Sequence, residues 1–229
     1  GLEVACGTGR DSLLIDSRLQ GSSELHMTDI SLDMLKTAKD KLISSNSRKV
    51  YCLSNAMHLP YPDNYFDAFY SFGAVGEFSD IARFFNEVVR VCKPGAKVVV
   101  GDENLPVWQR KSTFGKILSD YNKQFLEDVP FSDLPVEARE VRCQWVIGGV
   151  FYLIDFVVGE GEPYANFDFE IPGQRGGTHK TRFYGQLEGV TEEAKSLAWQ
   201  ARELTGKSMH VWLDDLIKKE ALKVIKNNQ

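Results

Sequence analysis

The sequence lacks the features that mark a membrane protein, a disulfide-stabilised domain or a metal site. Its 229 residues contain no uninterrupted apolar run near the roughly 18 that a membrane-spanning helix needs, and no basic-then-apolar leader at the start. The four cysteines, Cys6, Cys52, Cys92 and Cys143, lie far apart and form no CxxC pair or Cys/His cluster. We therefore expect a cytoplasmic protein with reduced thiols, no metal site and no membrane partner.

An excess of positive charge is also missing, since 27 Lys and Arg stand against 32 Asp and Glu, for a net charge of −5. This balance argues against nucleic acid as a default partner. The charge is uneven, because from Arg175 onward ten Lys and Arg face seven Asp and Glu. The basic tail is therefore predicted to differ in kind from the acidic body.

Apolar, β-branched runs alternate with helical patterns in the first half of the chain. The runs cover residues 2–6, 24–28, 50–54, 66–72 and 97–101. Ser31 is a favourable N-cap for a helix, and a second amphipathic helix, beginning at Asp80, is predicted to close at Pro94-Gly95. The alternation predicts the α/β class, with a doubly wound, mostly parallel, seven-stranded sheet of Rossmann-like type.

The second half of the chain is predicted to finish the sheet and add a helical appendage. Residues 107–125 have a helical pattern, and "VRCQWVIGGVFYLIDFVVG" is typical of an antiparallel hairpin that turns at Gly148-Gly149. Two apolar stripes in the tail predict two helices, the first ending at Gly206 and the second capped by Ser208. The expected organisation is a domain at 1–158, whose N-terminal part we expect to be missing, a loop or linker at 159–177 and a helical appendage at 178–229.

The segment "GLEVACGTGRDSLL" places glycines directly after the first apolar run, which suits a dinucleotide, another nucleoside cofactor or an ordinary tight turn. A nicotinamide-binding loop needs a third small residue where this chain has Ser12, and Asp11 adds negative charge where the pyrophosphate would lie. Both residues argue against a dinucleotide. Asp29 ends the second run, where it could accept hydrogen bonds from ribose hydroxyls; the alternative is a solvated loop aspartate.

Four segments in order resemble the class I S-adenosylmethionine-dependent methyltransferases, especially the ubiquinone and menaquinone biosynthesis group. "LEVACGTG" resembles the first family motif and "TDISLDMLKTA" the second. "NAMHLPYPDNYFDAFYSF" is similar to the adenine loop and fourth strand, and "EVVRVCKPGAKVVVGD" to the helix and fifth strand that follow. The resemblance covers about residues 1 to 158.

The resemblance implies S-adenosyl-L-methionine as the cofactor and S-adenosyl-L-homocysteine as its product, bound at the carboxyl ends of the strands. Glu3 is expected to orient the loop or the amino group and Asp29 to hold the ribose. Ile30 and Met57 are expected to sandwich the adenine, with plain core packing as the alternative. The expected cofactor-binding residues are Glu3, Ala5, Cys6, Gly7, Thr8, Gly9, Asp29, Ile30, Met34, Asn55, Ala56, Met57, Ser71, Phe72 and Gly73.

Two of these positions depart from the family pattern. Ala5 stands at the first glycine, a change that we expect to be tolerated if the residue has β conformation. Asn55 stands where the family usually has Asp, and its amide oxygen can still accept a hydrogen bond from the adenine amino group although the charge is lost. We expect cofactor binding to survive both changes.

The resemblance implies methyl transfer to a small-molecule acceptor. Aromatic residues favour an apolar or aromatic acceptor, although core packing explains them equally well; they are Tyr152, Tyr164, Phe167, Phe169 and Tyr184. No catalytic residue is assigned. If a general base is used, the candidates are Glu77, Asp102, Glu103 and His179, each with a solvated or capping role as the alternative, whereas His26 and His58 are expected to be structural.

The tail weakly resembles a ribbon-helix-helix module, whose short strand would direct Lys180 and Arg182 into DNA. We favour a different role for the tail, as a lid or as the interface of a homodimer formed through the C-terminal helices. The alternatives to a small-molecule methyltransferase are a methyltransferase acting on a macromolecule and a non-catalytic adenosine-binding or DNA-associated module.

Overall fold

The computed structural model describes residues 1–19, 23–43, 47–174, 176–187 and 190–227. The chain forms two compact units, Gly1–Pro163 and Tyr164–Gln229. None of the helices in the described ranges is long and apolar enough to cross a bilayer.

The first unit is built on one seven-stranded sheet. Its strands are β1 (Leu2–Val4), β2 (Glu24–Asp29), β3 (Arg48–Leu53), β4 (Phe66–Phe72), β5 (Cys92–Glu103), β6 (Ala138–Val146) and β7 (Phe151–Val158). Their order in the sheet is 3-2-1-4-5-7-6, and β7 is antiparallel to both neighbours. The predicted Rossmann-like sheet with a terminal hairpin is confirmed. β6 and β7 are joined through Gly148 and Gly149, which have positive φ values of 72° and 86°.

Among the described residues, four α-helices accompany this sheet: α1 (Arg10–Asp16), α2 (Leu32–Lys41), α3 (Ile81–Val91) and α4 (Thr113–Tyr121). The Ser31 hydroxyl accepts a hydrogen bond from the Met34 amide, so the predicted cap of α2 is confirmed. The predicted end of α3 is wrong. The helix stops at Val91, and Pro94 lies inside β5.

The helical pattern predicted for residues 107–125 is confirmed, although the segment is divided into α4 and the 3₁₀ turns Val107–Gln109 and Lys123–Leu126. The Ser112 hydroxyl accepts from the Gly115 amide and starts α4. Asn122 then has extended backbone angles, and its side chain caps a 3₁₀ turn over Lys123–Leu126. Two polar caps within eleven residues divide what the apolar pattern suggested was continuous.

The core of the first unit lies mainly between α3 and the sheet. Phe84, Phe85 and Val88 on α3 are fully buried and belong to the same cluster as Ile154 and Phe156 on β7. A smaller cluster joins Met27 on β2 to Leu35, Ala38 and Leu42 of the α2 segment. These two clusters fix the strand ends from which the loops of the candidate site emerge.

The second unit contains α5 (His179–Tyr184), α6 (Glu192–Thr205) and α7 (Met209–Asn227). Gly206 ends α6 in the left-handed conformation and the Ser208 hydroxyl accepts from the Val211 amide, so the two predicted helices and their caps are confirmed.

The ribbon-helix-helix resemblance predicts a short strand before these helices. This prediction is wrong, since that segment forms the helix α5. Its start is fixed by a capping box in which Thr178 and Thr181 bond to each other's backbone amides. Lys180 and Arg182 therefore lie on a helix, without the strand register that would direct both side chains into a groove.

Candidate functional site

The loop after β1 turns sharply through three residues with left-handed backbone angles. Ala5, Gly7 and Gly9 have φ values of 56°, 52° and 72°. The Gly9 amide donates to the Cys6 carbonyl at 2.9 Å and closes the turn. Ala5 therefore does not have the β conformation on which its expected tolerance depended, and its backbone occupies a region that costs an L-residue roughly 1–2 kcal/mol.

The two glycines of this loop have different surroundings. A Cβ added to Gly7 would meet no atom within 4 Å. A Cβ added to Gly9 would lie 2.8 Å from Leu42 Cδ1 and 2.9 Å from Ala38 Cβ. Gly9 thus allows the start of α1 to pack against the α2 segment, whereas Gly7 leaves open space above the backbone, where a ligand could lie.

Asp29, at the end of β2, holds this loop in place. Its Oδ2 accepts from the Gly7 amide at 2.8 Å, and its Oδ1 accepts from the Ser31 amide at 2.8 Å. The alternative of a solvated loop aspartate is wrong, because the residue is buried. A carboxylate has about four lone-pair sites, so each oxygen of Asp29 can accept one more hydrogen bond.

The residues expected around the adenine belong to the segments that follow β2 and β3. Ile30 is 76% exposed, so the core alternative is wrong for it, and Met34 is exposed as well. Met57 is half-buried against the core. The Asn55 Oδ1 accepts from the Met57 amide at 2.9 Å, which leaves this oxygen one lone pair for a ligand.

Three further expected residues differ in their exposure. Cys6 and Ala56 are buried, and burial raises the pKa of the Cys6 thiol to about 12, so this cysteine is a neutral packing residue. Thr8 is exposed at the tip, where its hydroxyl accepts from the Lys41 ammonium. All four cysteines are free thiols.

Glu3 is the most buried carboxylate of the site. Its side chain is 2% exposed, and its Oε2 has no hydrogen-bond partner among the described residues. Burial raises the pKa of Glu3 to about 7. Beside it, the Tyr70 hydroxyl donates to Asp11 at 2.9 Å, so the first turn of α1 holds a second carboxylate.

The loop after β4 contributes the last expected residues. Ser71 is fully buried, and its hydroxyl has no partner among the residues described. Phe72 stacks on Phe151 with ring centroids 5.2 Å apart. Gly73 has a φ of 75°, and a Cβ there would meet no atom within 4 Å. Gly73 therefore resembles Gly7 in leaving bare backbone facing open space.

The four base candidates have different environments. The Asp102 carboxylate accepts from the backbone amides of Gly76 and Glu103 and from the Gln124 side chain, so it supports the loops. The Glu103 Oε2 accepts from the Asn122 side-chain amide. Glu77 is exposed, and His179 lies in the second unit, edge-on to Phe169.

A pocket of about 370 Å³ lies beyond the ends of β4 and β5. Its lining includes Tyr152 and the carboxylates of Glu77, Asp102, Glu103, Glu127 and Asp128. No sequence pattern indicates this grouping, because the acidic residues belong to three segments that are distant in the chain. Burial raises the pKa of Asp102 above its usual value.

The five aromatic residues are divided between the two units. Tyr152 belongs to the core of the first unit and to the acidic pocket, whereas the other four lie in the second unit. There Tyr164, Phe167 and Tyr184 line a depression of about 830 Å³.

His26 and His58, which are expected to be structural, both contact other side chains. His26 is buried on β2 with its ring edge-on to Tyr61, Tyr65 and Phe66. His58 lies 3.2 Å from the Arg83 guanidinium.

The chain is similar to known methyltransferases. Residues 2–100 match the family of methyltransferase domains. The chain is 33% identical over 138 residues to the demethylmenaquinone methyltransferase of Lactiplantibacillus plantarum, covering 54% of this chain and 58% of that protein. It is 32% identical over 108 residues to the ubiquinone/menaquinone biosynthesis C-methyltransferase UbiE of Ralstonia nicotianae, covering 47% and 44%. The chain thus spans about half the length of these relatives.

Among solved structures, the fold is similar to that of phosphoethanolamine N-methyltransferase 2 of Haemonchus contortus in complex with S-adenosyl-L-methionine. The TM-score is 0.54 at 14% identity, covering 69% of this chain and 48% of that one. At this identity the similarity concerns the fold alone.

Proposed function

Because the chain belongs to the class I S-adenosylmethionine-dependent methyltransferases, we propose that it transfers a methyl group from S-adenosyl-L-methionine to a small aromatic acceptor. The product of the cofactor is S-adenosyl-L-homocysteine.

The observation that carries the proposal is the set of carboxylates around bare glycine backbone. Glu3, Asp11 and Asp29 all lie at or beneath the loop that contains Gly7. A pyrophosphate would be repelled by these groups, whereas a sulfonium and an ammonium would be attracted. The residues present therefore fit S-adenosyl-L-methionine better than a dinucleotide.

Each side chain has an open position for one part of this cofactor. The unused lone pairs of Asp29 suit the ribose hydroxyls, and the orphaned Glu3 Oε2 suits the amino group. Ile30 and Met57 provide apolar surface for the adenine, beside Asn55. Gly7 and Gly73 leave open space for the cofactor, which a Cβ at either position would partly fill.

The bound cofactor supplies an activated methyl group, which is transferred while the electron pair of the broken S–C bond stays on sulfur. The protein has to hold the acceptor atom close to this methyl group and exclude water. It also has to accept the proton that the acceptor loses. Glu103, held by Asn122 but with Oε1 available, and the exposed Glu77 are the carboxylates suited to that step.

The acceptor class follows from the relatives. Two of the matching proteins are named for demethylmenaquinone and for 2-phytyl-1,4-naphthoquinone, both quinones. We propose a reduced, hydroxyl-bearing ring of the same general kind for this chain.

The test is a methyl-transfer assay with isotopically labelled S-adenosyl-L-methionine and naphthalene-1,4-diol as the acceptor probe. The expected result is S-adenosyl-L-homocysteine formation and a labelled methyl group on the ring or its oxygen. The Asp29→Asn variant is expected to react more slowly at limiting cofactor. Binding of S-adenosyl-L-homocysteine without methylation of any hydroxylated ring would contradict the proposed acceptor class.

A further inference from the structure

The second half of α7, residues 216–227, differs from the first half in its exposure. The first half packs within the second unit, since Met209 is buried and Trp212 and Leu213 are half-buried. From Asp215 to Asn227 every residue is exposed. The second half of the helix therefore faces solvent.

This exposed half of α7 is amphipathic. With 3.6 residues per turn, one side of the helix carries mainly aliphatic side chains, namely Leu216, Ile217, Ala221, Val224 and Ile225. Ile217 and Val224 are each 62% exposed. Glu220 also falls on this side, where its carboxylate accepts from the Lys223 ammonium at 2.6 Å. Exposed apolar surface bordered by charge marks a site of interaction with a protein or a membrane.

The opposite side of the same segment is basic. Together with Leu222 it carries four lysines, namely Lys218, Lys219, Lys223 and Lys226. Residues 216–227 thus contain four lysines against one glutamate, whereas the whole chain has a net charge of −5. Lys218 is paired with Asp214 and Lys223 with Glu220, while Lys219 and Lys226 form no ion pair within the described part of the chain. This charge is complementary to an anionic partner.

The two sides of the helix exclude several partners. A second copy of the segment would bring like charges together, because each copy has four positive charges against one negative charge. A nucleic acid would bind the lysines and leave the aliphatic side chains in water. An acidic groove of another protein favours large anchoring side chains, and residues 216–227 contain no aromatic residue and no arginine.

An anionic lipid surface satisfies both sides of the helix. Aliphatic side chains insert at the boundary between the headgroups and the acyl chains, while the lysines extend back to the lipid phosphates. A lipid surface has no fixed shape, so it needs no single large anchor. Such a helix lies in the plane of the headgroups and requires no membrane-spanning segment.

We propose that residues 216–227 of α7 bind the surface of an anionic phospholipid bilayer, with the aliphatic side inserted and the lysines at the headgroups. This partner differs from the expectation of no membrane partner, which was based on the absence of a long apolar run. For this half of α7 it also replaces the homodimer contact expected for the C-terminal helices. The inference does not depend on the proposed methyl transfer.

The test is co-sedimentation of the intact protein with vesicles that contain phosphatidylcholine and the anionic lipid phosphatidylglycerol. Vesicles of phosphatidylcholine alone are the comparison. Binding to the anionic vesicles is expected to be at least about tenfold tighter and to weaken as the salt concentration is raised. Equal binding to the two kinds of vesicle, or binding to neither, overturns the proposal.

A double lysine variant tests the basic side of the helix. Lys219→Gln with Lys226→Gln is expected to weaken binding to the anionic vesicles about twentyfold to thirtyfold, or about fivefold for each lysine near the surface. Lys111→Gln with Lys116→Gln is the matched control, because it makes the same charge change at exposed positions of the first unit. The control is expected to change binding by less than about twofold, since salt screens charges far from the lipid. Equal losses in the two variants would show that net charge alone drives binding and would overturn the proposal.

A matched pair of substitutions tests the aliphatic side. Ile217→Ser is expected to weaken vesicle binding about fivefold to tenfold, because less apolar surface is inserted. Leu222→Ser is the control, since Leu222 is 54% exposed but falls among the lysines, and it is expected to have a smaller effect. Both positions are exposed, so the unfolding temperatures are expected to match that of the unmodified protein. An equal or larger loss in Leu222→Ser overturns the proposed orientation.

Two further measurements test the other partners. Analytical ultracentrifugation measures self-association, and calcium-loaded calmodulin is a probe with a groove that binds amphipathic helices. The expected result is vesicle binding, with an oligomeric state that Ile217→Ser does not change. Self-association that is lost in Ile217→Ser, or binding to calmodulin, in a protein that does not bind anionic vesicles would overturn the proposal in favour of a protein partner.

Discussion

The Asp29 carboxylate lies 2.8 Å from the Gly7 backbone amide, so the end of β2 holds the glycine loop that follows β1. The same carboxylate accepts from the Ser31 amide at the start of α2. Asp29 therefore organises the loop besides offering lone pairs to a ligand. An acidic residue at this position has a structural role as well as the ribose-binding role proposed for it.

Replacing Asp29 should reduce both affinity and stability. Asp29→Asn removes the charge and leaves only one oxygen to accept, so S-adenosyl-L-homocysteine binding should weaken by about 1.5–3 kcal/mol, measured by calorimetry. Ser31→Ala is the control, since it removes the α2 cap and should lower the free energy of unfolding by about 1 kcal/mol without a change in affinity. Equal affinity in Asp29→Asn and the unmodified protein would show that Asp29 does not hold the ribose.

The two loop glycines should separate binding from stability. Gly7→Ala places a methyl group in open space, so its stability cost should be limited to the left-handed backbone, about 1–2 kcal/mol, while ligand affinity falls. Gly9→Ala adds contacts of 2.8 Å and 2.9 Å to Leu42 and Ala38, and should destabilise the fold more. Urea unfolding and calorimetry on both variants test the distinction. A larger loss of stability in Gly7→Ala than in Gly9→Ala would contradict it.

Glu3 should make stability depend on pH. Its pKa is about 7 in the folded state against 4.5 as the ordinary value, so the folded state binds the proton more tightly than the unfolded chain. The free energy of unfolding should therefore decrease as pH rises from about 4.5 to 7, by up to about 3 kcal/mol from this residue. Glu3→Gln should lack that decrease. Urea unfolding across this range tests it, and parallel pH profiles of the two proteins would refute a buried Glu3 with a raised pKa.

The sequence was sufficient to predict the strands of the sheet and to identify the loops at its edge. Runs such as 66–72 are apolar and β-branched or aromatic, and β4 covers the same residues. The capping residues Ser31 and Ser208 were also predictable, because a hydroxyl before an apolar stripe acts locally.

What could not be predicted depends on contacts between distant residues. Nothing in the chain around Ala5 indicates a left-handed backbone, which the closed turn to Gly9 imposes. The acidic pocket is formed by segments that are distant in the chain, such as those of Glu77 and Asp102, which are 25 residues apart. The prediction of a strand in the tail was wrong, because a local capping box between Thr178 and Thr181 favours a helix there.

The central claim is that the carboxylate-ringed loop binds an S-adenosyl cofactor and not a dinucleotide. Its most direct test is calorimetric titration of the intact protein with S-adenosyl-L-homocysteine and, separately, with NAD. The expected result is saturable binding of S-adenosyl-L-homocysteine at one site, lost or weakened in Asp29→Asn, and no binding of NAD. Binding of NAD with no binding of S-adenosyl-L-homocysteine would contradict the claim.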